Sequence, residues 1–155
     1  AAGQAAFAWA HQRAAAAELA QYLALPPLRA GSTVLALSFE GRKGRVAPLL
    51  HAVSYAAIEA GAVDLGNYEA KTDHFQIRFK PLPMPPHALI ERAPARIDVR
   101  AYAGVIDHLV TWDLRAASGG AVPAAYTESY EIVAESGRAI LFESRAARAR
   151  AAAGP

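Results

Sequence analysis

Side chains of the kinds used in acid–base chemistry gather in one loop of the chain, residues 64–74. Asp64 and Glu69 flank its first part, and Asp73 and His74 follow closely. Two carboxylates in one cleft can acquire separated pKa values and divide the roles of acid and base. Loop aspartates also accept hydrogen bonds from nearby backbone N–H groups and so stabilise turns. The turn interpretation is favoured here, and we therefore assign no catalytic residue.

The five histidines invite a metal hypothesis, but their spacing does not support one. His51 and Tyr55 share one face of a predicted helix, and no second histidine stands four residues from His51. Asp107 and His108 are adjacent in a predicted strand and should point to opposite faces. The chain has no cysteine and no G-x-S-x-G elbow. We expect no metal site, no cofactor and no serine-hydrolase chemistry.

Composition indicates a globular chain without a nucleic-acid partner. Hydrophobic residues make up 54% of the 155 positions, and the net charge is only +2. The arginines are scattered rather than arranged in the basic stripe that nucleic-acid binding requires. No apolar run approaches the roughly 18 residues that cross a bilayer. Since the chain begins at Ala1 rather than at a methionine, we expect it to be part of a longer protein.

Periodicity predicts the elements that position the loop. A helix over 4–24 lacks internal glycine and proline, and a second helix over 48–60 ends at Gly61. Apolar strands over 33–39 and 106–112 are typical of a sheet covered by helices on both faces. An alternating run, HFQIRFK, predicts a strand directly after the loop.

The remaining segments complete a single predicted domain, residues 1–145. Four prolines between positions 81 and 86 predict an extended connection that continues to about residue 94. Two alternating runs, 130–135 and 138–143, flank a glycine turn and predict a β-hairpin. Residues 146–155, rich in alanine and arginine, are predicted to be a disordered tail. The fold class predicted is α/β, a Rossmann-like sandwich with a mostly parallel central sheet, covering helices and a C-terminal β-hairpin.

Four segments together resemble a known protein family. They are LPPLRAGSTVLALSF, LLHAVSYAAIEAGAVDLGNYEAKTDHFQIRFKP, DHLVTWDL and YEIVAESGRAILFESR. The pattern is similar to the soluble C-terminal domain of polytopic bacterial membrane proteins of the GT-C glycosyltransferase type, which use lipid-phosphate sugar donors. The resemblance covers roughly residues 15–145, and its motifs are most specific between residues 51 and 81.

The resemblance implies a non-catalytic accessory domain on the extracytoplasmic (periplasmic) side of the inner membrane. Its parent would be a membrane glycosyltransferase of envelope glycan or glycolipid assembly, whose catalytic acids lie in loops between membrane helices. The implied partners are the membrane-embedded portion of the same polypeptide and a glycan or lipid-linked sugar. The polar positions that match, and that would shape a binding surface, are His51, Tyr55, Asp64, Asn67, Tyr68, Glu69 and Arg78.

Two alternative functions follow from other folds of this size. One apolar helix followed by several strands is compatible with a hotdog-type acyl thioesterase or with a cone-shaped NTF2-like binding module. Both folds require a mostly antiparallel sheet. A parallel pairing of strands 33–39 and 106–112 would therefore count against both.

Overall fold

A computed structural model of the chain describes residues 2–40, 51–66 and 82–153, apart from the side chains of residues 2–8 and 11. Its helices are α1 (Ala2–Leu23), α2 (Ala52–Ala60), α3 (His87–Arg92), α4 (Leu114–Ala117), α5 (Ala124–Ser129) and α6 (Arg145–Ala152). Its strands are β1 (Thr33–Ser38), β2 (Val63–Asp64), β3 (His108–Trp112), β4 (Tyr130–Ser136) and β5 (Ala139–Ser144). Two 3₁₀ turns, Pro94–Arg96 and Val99–Tyr102, lie between α3 and β3.

The described strands form one mixed sheet in the order β2-β1-β3-β5-β4. Strand β1 pairs in parallel with β2 on one side and with β3 on the other, in a register that sets Leu35 beside Leu109. Strand β5 is antiparallel to both β3 and β4. The predicted α/β class is confirmed. The predicted mostly parallel sheet is confirmed only around β1, because both pairings of β5 are antiparallel. The parallel pairing of β1 with β3 contradicts the antiparallel sheets that the two alternative folds require.

Helices cover both faces of the sheet, because its central strands are apolar on both sides. All five residues of β3 are buried. One face packs against α3, α5 and the 3₁₀ turns through a cluster that includes Leu35, Leu109 and Phe142. The other face packs against α1 and α2 through a cluster that includes Val110 and Trp112. The two covered strands that the sequence predicts are confirmed.

The C-terminal hairpin is also confirmed. Strands β4 and β5 pair with a bulge between Ile132 and Ala134, and they are joined by a turn at Gly137. The turn requires a positive φ of 57° at Gly137, which glycine adopts without steric cost. A Cβ added at this position would also lie 2.2 Å from Gln21 Oε1 of α1, so the turn packs closely against that helix.

Residues 82–94 differ from the predicted extended connection. The prolines end at Pro86, which is the N-cap of α3, and the helix continues to Arg92. The segment HALIER contains no glycine or proline, and Ile90 buries its side chain in the sheet-facing cluster. A helix therefore begins directly after the last proline of the cluster. This agrees with the tolerance of proline near a helix N-terminus.

The C-terminal residues also differ from the predicted disordered tail, because Arg145–Ala152 form α6. Ala147 is fully buried, and Ser144 Oγ accepts a hydrogen bond from Ala147 N–H at the helix start. Arg145 and Arg148 both pair with Glu131 of β4. These two arginines thus pair with a carboxylate of the sheet, while about half of each side chain stays exposed to solvent.

We predict that Ser144→Ala lowers the free energy of unfolding by about 1–2 kcal/mol, because the hydroxyl makes two contacts. It caps α6, and it donates a hydrogen bond to the Ala103 carbonyl at 2.5 Å. Urea denaturation followed by circular dichroism measures the loss. The matched control is Ser129→Ala, at the end of α5, for which we expect a change below about 0.5 kcal/mol. Equal losses in the two variants would contradict the role given to Ser144.

Candidate functional site

A crevice lined by both polar and apolar side chains lies outside the carboxyl ends of the parallel strands β1 and β2. Its cavity volume is about 50 Å³. Chain segments from β1, α2, β2 and α3 meet there, and the lining residues are Tyr22, Ala36, Ser38, His51, Val53, Asp64, Gly66, His87, Ile90 and Glu91. In open α/β sheets, ligands bind outside the carboxyl ends of the strands, because loops and helix termini converge there. The crevice is therefore the candidate functional site.

Asp64 lines the crevice, and both oxygens of its carboxylate accept hydrogen bonds. Its Oδ2 accepts a hydrogen bond from Ser54 Oγ of α2 at 2.5 Å, and its Oδ1 accepts one from Gly66 N–H at 2.8 Å. The bond from Gly66 N–H closes a local turn of the kind that the sequence predicts for Asp64, so the turn interpretation is confirmed for this residue. The two bonds hold the carboxylate in one orientation between α2 and the end of β2.

His51 and Tyr55 lie in different surroundings. His51 is the N-cap of α2, and its carbonyl accepts a hydrogen bond from Ser54 N–H at 3.1 Å while its residue lines the crevice. Tyr55, one turn later, is 72% exposed and does not line the crevice. The structure thus brings His51 and Asp64 together and leaves Tyr55 on the surface.

The remaining predicted binding residues lie outside the described part of the chain. They are Asn67, Tyr68, Glu69 and Arg78. The strand predicted over the run HFQIRFK lies there too. These assignments stay predictions.

The crevice contains two residues that the sequence analysis missed, His87 and Glu91. They stand four positions apart on α3, with His87 Nδ1 3.7 Å from Glu91 Oε1. Their i, i+4 spacing is the signal of a shared helix face, but it has meaning only once residues 87–92 are known to be helical. Together with Asp64 and His51 they surround the crevice with groups that can donate and accept hydrogen bonds.

The described residues do not support a metal centre. Nowhere in the described ranges do three histidine, aspartate or glutamate side chains converge to hold a metal ion. The chemistry that the crevice offers is hydrogen bonding by imidazole, hydroxyl and carboxylate groups, which is the chemistry that recognises hydroxylated molecules.

A second polar cluster is centred on Arg138, at the carboxyl end of β3. Its guanidinium makes a bidentate pair with Asp113, with Nε 2.8 Å from Oδ1, and it lies 2.9 Å from Glu40 Oε1 and 3.2 Å from Glu18 Oε1. It also lies over the ring of Trp112, 4.8 Å from the centroid. The bond to Asp113 raises the pKa of Arg138 above its ordinary value, and the bond to Glu40 raises it further, while burial of the guanidinium acts in the opposite direction. The guanidinium therefore links α1 to the ends of β1 and β3.

His108 is a buried histidine of β3. It is 5% exposed and makes no close, well-aligned hydrogen bond to a described residue, but the backbone of Phe142 on β5 acts on its ring as a weak hydrogen-bonding partner, which raises its pKa. Burial holds the pKa of His108 below its ordinary value, while Glu143, its cross-strand partner on β5, acts in the opposite direction. Arg29 lowers the pKa further, and Asp107 raises it. The net result is a neutral imidazole at neutral pH.

The pKa of His108 predicts a contribution to stability that depends on pH. The unfolded chain binds a proton at this residue near pH 6.5, whereas the folded chain does so only at lower pH. Below about pH 6.5 the unfolded state therefore holds more protons, and stability falls as the pH falls. We expect His108→Leu to flatten the decrease in unfolding free energy between pH 7 and pH 5, measured by urea denaturation. An unchanged slope would contradict this assignment.

None of the helices in the described ranges is long and apolar enough to cross a membrane. Comparison of the chain with protein families, with curated proteins and with solved structures found no match.

Proposed function

We propose that the chain is a non-catalytic extracytoplasmic accessory domain of a membrane protein in envelope glycan or glycolipid assembly. In this proposal the domain has a Rossmann-like sheet, and it binds or positions a glycan substrate for the membrane-embedded portion of the same polypeptide. The proposal rests on the sequence resemblance for its biological setting. For its site it rests on one observation, the crevice at the carboxyl ends of β1 and β2, whose lining includes His51, Asp64 and His87.

The crevice supports binding of a hydroxylated ligand through its lining groups. Sugar hydroxyls both donate and accept hydrogen bonds, so a sugar site needs groups of both kinds. Asp64 supplies a fixed acceptor, while His51 and His87 supply ring nitrogens that serve in either role. The cavity of about 50 Å³ is small, which favours contact with one edge of a sugar rather than enclosure of a whole ring.

The surface of α2 supports contact with a partner. Tyr55 is 72% exposed and Ile58 is 77% exposed, and their i, i+3 spacing places them on the same side of the helix. Exposed apolar residues that cluster favour an interaction surface, and here the proposed partner is the membrane-embedded portion.

The biological setting is tested by fractionating the native polypeptide with an antibody raised against this chain. We expect a band far larger than 16.4 kDa that sediments with membranes. A soluble band near 16.4 kDa would contradict the accessory-domain proposal.

The site is tested in the native polypeptide with the double variant His51→Ala and His87→Ala. We expect reduced glycan output at an unchanged protein level, because both changes remove side chains that donate and accept hydrogen bonds at the crevice. The matched control is Glu135→Gln. Glu135 pairs with Arg115 on the exposed surface of the hairpin and does not line the crevice. Unchanged output in the double variant would make the crevice structural, and turnover of a substrate by the isolated chain would overturn the non-catalytic assignment.

A further inference from the structure

Helix α1 extends well beyond the part of it that packs against the sheet. Contacts with the core begin near its carboxyl end, where Leu19 packs against the cluster on that face and Tyr22 is the first of the described side chains to be buried. From Trp9 to Gln21 none of the described side chains is buried. Most helices in proteins are stabilised by the packing of one face rather than by propensity alone. The outer part of α1 therefore presents a long surface that the described residues leave uncovered.

One face of this uncovered surface carries two large exposed apolar side chains. Trp9 is 59% exposed and Leu23 is 63% exposed. Ala16 and Ala20 lie between them and are exposed too, and the spacing of the four residues places them on one side of the helix. At a rise of 1.5 Å per residue the face is roughly 21 Å long. Large apolar side chains that share an exposed face favour an interaction surface.

The order of large and small residues makes this face complementary to a second copy of itself. Trp9 and Leu23 each stand seven residues from Ala16, on opposite sides of it. When two α1 helices pair antiparallel about Ala16, Trp9 of each copy therefore lies opposite Leu23 of the other. The alanines then lie at the centre of the contact, where small side chains let two helices approach closely. Such a contact is a two-fold interface, in which each pairing occurs twice.

Charges of opposite sign stand at the two ends of this face. Arg13 lies over the Trp9 ring, 4.8 Å from its centroid, and has no ion-pair partner among the described residues. Glu59 of α2 is exposed, lies beside Leu23 in the lining of one groove, and likewise has no cation paired with it in the described ranges. The antiparallel arrangement brings Arg13 of each copy to the end that carries Glu59 of the other. This charge complementarity favours a second copy over a lipid surface, which would cover the apolar residues alone.

We infer that the chain forms a symmetric dimer in which the α1 helices of two copies pack antiparallel about Ala16. The contact is small, so we expect a weak dimer with a dissociation constant on the order of 10–100 µM. At the lower protein concentrations used for urea denaturation the chain is then a monomer, and Trp9 behaves as an exposed residue. The inference does not depend on the proposed glycan function, because assembly of the purified chain is measured without a glycan.

The test is sedimentation velocity of the purified full chain at protein concentrations from about 5 to about 500 µM. We expect a monomer at the lowest concentration and a dimer at the highest. Trp9→Ala and Leu23→Ala should each weaken the dimer by roughly tenfold or more, because each substitution removes two equivalent contacts. The matched control is Val133→Ala, at an exposed apolar residue of β4 outside this face, and it should assemble like the unaltered chain. Thermal unfolding verifies that each variant is folded.

Charge reversal tests the pairing of Arg13 with Glu59. Arg13→Glu alone and Glu59→Arg alone should each weaken the dimer by roughly fivefold, because like charges then face each other across the interface. The double variant places the two charges in exchanged positions, and we expect it to restore assembly. A loss that the double variant does not restore would overturn the antiparallel arrangement.

A cross-link tests the two-fold symmetry. The chain contains no cysteine, and Ala16 of one copy lies against Ala16 of the other at the centre of the contact. Ala16→Cys should therefore form an intermolecular disulfide on mild oxidation, whereas Ala149→Cys, at an exposed residue of α6, should not. A monomer at every concentration, a dimer that Trp9→Ala leaves unchanged, or equal cross-linking of the two cysteine variants would each overturn the inference. A monomer that sediments with vesicles of phosphatidylethanolamine and phosphatidylglycerol would also overturn it, and would assign the face to a lipid surface.

Discussion

Replacing Trp112 with alanine is expected to lower the free energy of unfolding by about 3–5 kcal/mol, the largest effect of any single substitution considered for this chain. The side chain is fully buried. Its ring stacks on Tyr22 of α1, with centroids 5.1 Å apart and an interplanar angle of 12°. Its Nε1–H donates to Glu40 Oε2 at 3.0 Å. Removing the indole therefore leaves a cavity and breaks the contact between α1 and the sheet.

Urea denaturation followed by circular dichroism measures this effect, and two other variants separate its causes. Trp112→Phe keeps an aromatic ring against Tyr22 but loses the bond to Glu40, so we expect a smaller loss of about 1–2 kcal/mol. Trp9→Ala is the matched control, because Trp9 is 59% exposed, and we expect a change within about 0.5 kcal/mol. A loss below about 1 kcal/mol for Trp112→Ala would contradict the central position given to this residue.

Replacing Arg138 with methionine is expected to lower the free energy of unfolding by about 2 kcal/mol. The guanidinium lies between Asp113, Glu40 and Glu18, and its removal leaves three carboxylates near one another without their shared cation. Breaking a fully buried pair costs about 3–5 kcal/mol. Arg138 is 32% exposed, so solvent screening reduces the expected loss.

The control for Arg138 is Arg115→Met, which removes an arginine paired with Glu135 on the exposed surface. We expect this variant to lose much less stability than Arg138→Met, because solvent screens an ion pair on the exposed surface. The double variant Arg138→Met, Asp113→Asn should lose about 1 kcal/mol less unfolding free energy than the two single variants lose in sum. The reason is that Asp113→Asn removes the charge that Arg138→Met leaves without its partner. Purely additive losses, measured by the same denaturation assay, would show that the cluster does not act as a unit.

The residues of the central sheet and hairpin were predictable because their signals are local. Strands β1 and β3 are continuous apolar runs bounded by turn residues, and a run of this kind is buried in most contexts. The hairpin has alternating runs around Gly137, whose positive φ suits a tight turn. The parallel pairing of β1 with β3 agrees with the prediction of covered strands.

The helices α3 and α6 were not predicted, because tertiary contacts stabilise them. Helix α3 follows a proline cluster that indicates an extended chain, but Ile90 gains burial against the sheet. The sequence of α6 by itself indicates a charged tail. In the structure, Glu131 and Glu143 of the sheet pair with its arginines and stabilise the helix. A short isolated helix is marginal in water, so local pattern alone does not determine whether it forms.

The sequence by itself determined the fold class, the covered strands, the hairpin and the turn made by Asp64, since each depends on residues close together in the chain. Only the tertiary structure decided which side chains share a site. His87 and Glu91 join His51 at the crevice because α3 packs against the end of β1. Arg138 meets Glu18 across 120 positions. Contacts between residues so far apart in the chain depend on strand order and helix packing, and residue spacing in the sequence does not reveal them.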